Sequence, residues 1–240
     1  MRRLLLRFAV VLLLPLCAGG YLAFAAPDGP RSLRQFEPQR LASLELEMWR
    51  AYYSRENVRL FRLLVVMLRE QYNYPWATAV REGVHLARAA ATFATARADY
   101  EVVLPDLMAA YTIARDWTGA GFDPAAVAKA ELAWWVARRI PGQNSPEQIG
   151  ELIAVEYALL YESTPAAMRR SAQLRARAAA LRDAQAEALR DAQAERHEGP
   201  PEGGPHGPRD AQASAPDWNE ISKLLTESYI ELRNAVGQRS

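Results

Sequence analysis

The 240-residue sequence predicts an all-α protein, an irregular multi-helix bundle of about six to eight helices behind an N-terminal signal or transmembrane segment. Three observations predict it. Apolar residues recur at three- and four-residue spacing along most of the chain, as one face of a helix requires. Capping side chains stand directly before prolines at Asp123-Pro124, Ser145-Pro146 and Thr164-Pro165, the pattern of a helix start. No stretch alternates with period two in β-branched residues, so a sheet is not expected.

Residues 1–26 read as an export segment. Arg2, Arg3 and Arg7 flank an apolar run over residues 4–26, the order of a charged region followed by a hydrophobic one. Ala23-Phe24-Ala25 ahead of Ala26-Pro27 has the form of a cleavage site, while the run is also long enough to span a bilayer. Cleaved signal peptide and retained anchor both remain open. Leu14-Pro15-Leu16-Cys17 resembles a lipobox, but Leu16 stands where that pattern wants a small residue. Arg2-Arg3 is similar to a twin-arginine signal without its polar preface. The expected location is therefore the inner membrane with a periplasmic domain, or the periplasm after cleavage.

Residues 27–37, with Pro27, Gly29 and Pro30, read as a polar connector, and residues 38–164 as the helical core. Its helices are expected over 38–53 and 56–72, separate or continuous through Ser54, then 75–96 after the Tyr74-Pro75 break. A fourth covers 98–117, with Pro105 a kink or a new start, and ends at Thr118-Gly119-Ala120-Gly121. Two more follow at 124–139 and 146–162. A long polar helix over 165–196 carries a near-exact repeat, Leu181 to Glu187 and Leu189 to Glu195. Its apolar stripe is narrow, comprising Leu174, Ala178, Leu181, Ala188 and Ala192, so it is expected to project or pair weakly. Residues 197–216 are Gly- and Pro-rich and read as a disordered linker. Asp217 and Glu220 form a capping box for an amphipathic helix over 217–237. The face of that helix, Ile221, Leu224, Leu225, Ser228, Leu232 and Val236, must dock on the core or on a partner protein.

A formal net charge of +1 without long single-sign blocks gives no footprint for nucleic acid. Cys17 is the only cysteine, so the rest of the chain forms no disulfide. No Gly-rich phosphate loop, His-Glu-x-x-His or Gly-x-Ser-x-Gly pattern is present, so no catalytic residue is assigned and a non-enzymatic role is favoured.

Polar groups on apolar helix faces are the remaining candidates. Glu45 falls among Leu41, Met48, Trp49 and Tyr52, and Glu156 among Ile149, Leu152, Ile153, Leu159 and Leu160. A buried carboxylate must be neutral, paired or hydrogen-bonded, and Arg138 and Arg115, beside Trp134 and Tyr111, are the expected partners. Glu45, Tyr52, Trp134, Arg138 and Glu156 form the candidate ligand-binding set, with a buried network that fixes helix register as the competing reading. Glu82-Gly83-Val84-His85 is half of the Glu-x-x-His pattern of carboxylate-bridged di-iron bundles, and Glu131 could join it. The second half is missing, however. The apolar stripe of the third helix, Trp76, Val80, Gly83, Val84, Ala87, Ala91 and Ala94, puts His85 on the opposite, solvated side. No metal or cofactor is assigned.

Two functional expectations follow. One is a membrane-associated or exported helical binding or scaffolding protein facing the periplasm, touching the membrane through its N-terminal segment and a protein through its C-terminal helix. The other is an exported helical enzyme, or a ligand or metal carrier, with a pocket around Glu45 and Glu156.

Overall fold

The computed structural model describes residue 20 and residues 23–197 and 217–237. Most of the expected export segment, and the expected linker from residue 198 onward, lie outside the described residues. Among the described residues no helix is long and apolar enough to cross a membrane.

Eight α-helices and no strand occur among the described residues: α1 Pro38–Tyr53, α2 Asn57–Tyr72, α3 Trp76–Thr95, α4 Leu104–Thr118, α5 Pro124–Ala137, α6 Pro146–Leu160, α7 Pro165–His197 and α8 Trp218–Gly237. A short 3-10 turn, Tyr100–Val103, precedes α4, so Pro105 sits in the first turn of a new helix. Asp123 and Ser145 accept from the amides of Ala125 and Gln148, and Thr164 from that of Ala167. Asp217 accepts from both Asn219 and Glu220, which opens α8. α1 and α2 are separate because Arg55 turns left-handed at φ 57°, and Gly119, at φ 69°, ends α4 in the conformation glycine adopts without steric cost.

Each helix packs on its neighbours in sequence, and α8 returns between α7 and α1, which closes the row into a ring. The short connections make consecutive helices antiparallel. Arg40 on Glu70 and Arg59 on Glu47 mark this for α1 and α2, and Ser171 on Ser228 with Arg170 near Glu231 does so for α7 and α8. Gly83 of α3 lies against α2, where a methyl group would meet Val65 Cγ2 at 3.3 Å. A ring of eight helices whose axes stand about 9–10 Å apart has a centre wider than one helix. Only long side chains can reach into it.

Three expectations need correction. The helix over 165–196 does not stand apart: Met168, Ser171, Ala172, Leu174, Ala176 and Ala178 are buried between α6 and α8. Its stripe looked thin because it is built of small residues, but those are what let three helix backbones approach closely. The connector is likewise part of the fold. Leu33 and Phe36 are buried, Arg34 donates to the Tyr161 carbonyl at 3.0 Å, and Arg233 of α8 donates to the carbonyls of Arg34 and Phe36. It seals the end of the ring where α2 and α6 finish. On α3, Trp76, Val80 and Val84 are about two-fifths exposed, whereas Ala79, Glu82, Gly83 and Ala89 are buried. The neighbours of α3 leave room for small side chains, so the larger apolar ones are turned outward.

The apolar face of α8 is occupied within the chain. Ile221, Leu225, Ser228, Leu232 and Val236 are all buried against α1 and α7.

Candidate functional site: a carboxyl-lined cavity

The side chains that reach the centre of the ring fill it incompletely and leave a cavity of about 690 Å³. Every helix contributes to its wall. Apolar residues dominate, among them Phe61, Leu64 and Met67 of α2 and Leu160 of α6, which suits a site for a mostly apolar molecule. At one end it reaches the surface. Tyr52 is 63% exposed there, and Asn57 together with Ala90, Ala91 and Ala94 forms the exposed rim.

Polar groups enter this wall at specific places. Glu45 of α1, only 3% exposed, receives two hydrogen bonds on Oε1 from Arg175 of α7, at 3.1 Å from Nε and 2.7 Å from Nη2. The Tyr229 hydroxyl of α8 donates to its Oε2 at 2.7 Å. The Arg175 guanidinium also lies 5.7 Å from the centre of the Trp134 ring. On the other side of that ring system, Trp134 Nε1 donates to Oε2 of Glu156 at 2.5 Å. A continuous polar strip thus runs from α8 through α1, α7 and α5 to α6.

Tyr111 of α4 extends the strip. Its hydroxyl oxygen stands 2.8 Å from Oε2 of Glu131 and 3.3 Å from Oε1 of Glu156. A phenol has one proton, so it cannot donate to two carboxylates at once. One of the two acids must carry a proton and donate to the phenol oxygen. Burial raises the pKa of both, and the mutual repulsion of the two charges raises that of Glu131 further. Arg175 favours charge on both acids, whereas the Trp134 N–H favours it on Glu156 alone, so we place the proton of the pair on Glu131.

A third acid stands apart. Glu82 of α3 is 3% exposed and accepts a hydrogen bond from the Tyr74 hydroxyl. Burial pushes its pKa up to about 8, with the Tyr74 bond and Arg81 opposing. Among the described residues nothing donates to the other oxygen of Glu82, nor to the other oxygen of Glu131.

The sequence-predicted residues are brought together only in part. Glu45, Trp134 and Glu156 share the strip. Tyr52 lies on the rim, edge-on to Tyr53 at 5.4 Å between ring centres. Arg138 does not serve either glutamate: it pairs with Asp183 of α7, which also receives Arg182 and the Tyr53 hydroxyl. Burial alone would raise the Asp183 pKa, but Arg182 and Arg138 hold it below its usual value. Arg115 is bound to its neighbour Asp116 on the surface. The true partner of Glu45, Arg175, was hidden in the helix expected to be solvated. It lies seven residues after Met168 and three before Ala178, and that spacing was the available signal. Glu82 could have been found the same way, from Ala79 and Leu86.

His85 is half-buried between α3 and α4 rather than solvated, with Nδ1 2.8 Å from Asp106 Oδ1 and Arg88 on the other carboxylate oxygen. Among the described residues no three His, Cys, Asp or Glu side chains are grouped so as to hold a metal ion. Comparison with protein-family models, curated proteins and solved structures finds no match for this chain.

Proposed function

We propose that this chain is a ligand-binding protein that holds a small, mostly apolar molecule inside its ring of helices. The observation that carries this reading is the cavity of about 690 Å³, within the size range of small-molecule sites and lined by apolar side chains with a few convergent polar groups. A register-fixing network alone would have no need of the empty volume, since a void lined by Leu and Phe forfeits packing energy. The reading favours a carrier or receptor over a scaffold, because the α8 face that suggested a protein partner is spent on α1 and α7. We further propose that the domain works in the periplasm, tethered or released, as the arginine-flanked apolar run over residues 4–26 suggests.

The test uses the neutral fluorophore N-phenyl-1-naphthylamine, whose emission rises in apolar surroundings. The expected result is saturable binding of one dye per chain. Ala91→Trp, placed on the exposed rim, should reduce that binding at least tenfold while leaving the helical circular dichroism unchanged. No emission change, or binding untouched by Ala91→Trp, would refute the proposal.

A further inference from the structure

Resting on the cavity reading, we infer that the ligand is an amphipathic organic cation, an amine on an aromatic or branched hydrocarbon body, with its ammonium group seated between Glu131 and Glu156. The charge inventory of the wall excludes the opposite sign. Arg175 is the only basic residue among the described residues lining the cavity, and its charge is already balanced by Glu45 at 2.7 Å. Among the described residues an anionic ligand would find no free cation and would face three further carboxyl groups, Glu82, Glu131 and Glu156. Burying an anion there is costly on both counts.

For a cation the same wall is complementary. Glu131 and Glu156 come from adjacent helices and meet at one phenol oxygen, so both can approach a single ammonium nitrogen. The unoccupied oxygen of Glu131 is a ready acceptor for an N–H donor. Trp134 stands beside the pair, and Tyr157 and Tyr161 also line the cavity, so the site is bordered by aromatic rings that suit the hydrocarbon body of the ligand. The arrangement also states how charge is conserved. With the cavity empty, a proton on Glu131 separates the two acids. An arriving ammonium replaces that proton, which leaves to solvent, and the site ends with two carboxylates around one cation. Groups facing the pair are Tyr111 from α4, Arg175 from α7, Tyr72 from α2, Tyr157 and Tyr161 at the end of α6 and, more distantly, Glu82 from α3. Tyr111 can then donate its one proton to either acid.

The test compares three molecules with one ring skeleton: 2-(1-naphthyl)ethylamine, 2-(1-naphthyl)ethanol and 1-naphthylacetate, titrated calorimetrically into the full chain. The amine is expected to bind at least tenfold more tightly than the alcohol, and the carboxylate more weakly than either. Titrations in buffers of different ionisation enthalpy should show proton release of up to one per amine bound. Amine affinity should rise from pH 6 to pH 8 by up to tenfold per pH unit, as binding linked to loss of one proton requires. Glu131→Gln should remove the proton release, and Glu131→Gln combined with Glu156→Gln should bring amine affinity to the level of the alcohol. Equal binding of amine and alcohol, or a preference for the carboxylate, would overturn the inference while leaving the cavity reading intact. Failure of all three, together with failure of the neutral dye, would remove both. Because the ligand series is read on the unmodified chain, the outcome does not depend on either variant folding.

Discussion

Glu45 and Glu131 are both acids on the wall of one cavity, and they are handled in opposite ways. Glu45 is closed off: Arg175 and Tyr229 supply donors to both of its oxygens, and the three residues tie α1, α7 and α8 together. Glu131 is left with one oxygen on a shared phenol and another that receives nothing among the described residues. The first arrangement offsets the desolvation of a charge by pairing it, and the second by keeping a proton on it. A paired acid is structural cement. A protonated acid on a cavity wall, with no protein donor on its second oxygen among the described residues, is able to exchange its proton for another cation.

The largest effect should come from unpairing the closed site. Arg175→Met leaves the Glu45 charge buried without its partner, and urea denaturation should show a loss of about 3–5 kcal/mol. Adding Glu45→Gln to that variant should recover most of the loss, because the uncompensated charge is then gone. A single variant within about 1 kcal/mol of the parent would mean that the two sites are not different in kind.

Next comes pH, which probes the protonated acids. Glu82 titrates near pH 8 in the folded chain against 4.5 for an ordinary glutamate, so the folded state holds a proton that the unfolded chain has released. The resulting stability is complete below about pH 4.5, declines as pH rises and is gone above about pH 8. At about 1.4 kcal/mol per pH unit, this contribution falls by about 2–3 kcal/mol between pH 6 and pH 8. Glu82→Gln keeps an acceptor for Tyr74 and has nothing to ionise, so its stability should fall less steeply by that amount. Parallel profiles for the two proteins would show that Glu82 is charged in the folded state.

The smallest effect sharpens the role of Tyr229. Tyr229→Phe removes one hydrogen bond to the Glu45 charge, worth about 1.5–2 kcal/mol. The change should be seen first as faster amide exchange in α8, since that bond fastens α8 to α1.

How far the chain discloses all this depends on which residues carry the information. The four capped helix starts were legible to within a residue or two, because Asp123-Pro124, Ser145-Pro146, Thr164-Pro165 and Asp217 act through local bonds that do not need the rest of the fold, whereas the helix expected from residue 98 begins only at Leu104. The burial of Glu45 and Glu156 was legible for the same reason, since each sits in a dense apolar stripe of its own helix. The partners were not. Arg138 is nearer to Trp134 in sequence than Arg175 is, yet α7 brings Arg175 to Glu45 across 130 positions. The one local signal, the spacing of Arg175 from Met168 and Ala178, is faint, because a stripe made largely of alanine differs little from a solvated face. On α3 the larger side chains misled, because Trp76 and Val80 face outward while Ala79 and Gly83 fit the tight seam. Closure into a ring was likewise beyond local pattern, as it depends on where α8 comes to rest.

That resting place governs how the protein can be made. The bond from Tyr229 to Glu45 joins positions 184 residues apart, so the seam between α1 and α8 has a far higher contact order than any seam between consecutive helices. The antiparallel neighbours can pair as they emerge, within tens of residues of one another. The ring itself cannot shut until the twenty-residue α8 is available, and until then α1 and α7 expose the apolar edges that Ile221, Leu225 and Leu232 will cover. The chamber therefore closes only after α1 to α7 have been made, and a chain waiting for α8 is the species most exposed to aggregation or proteolysis.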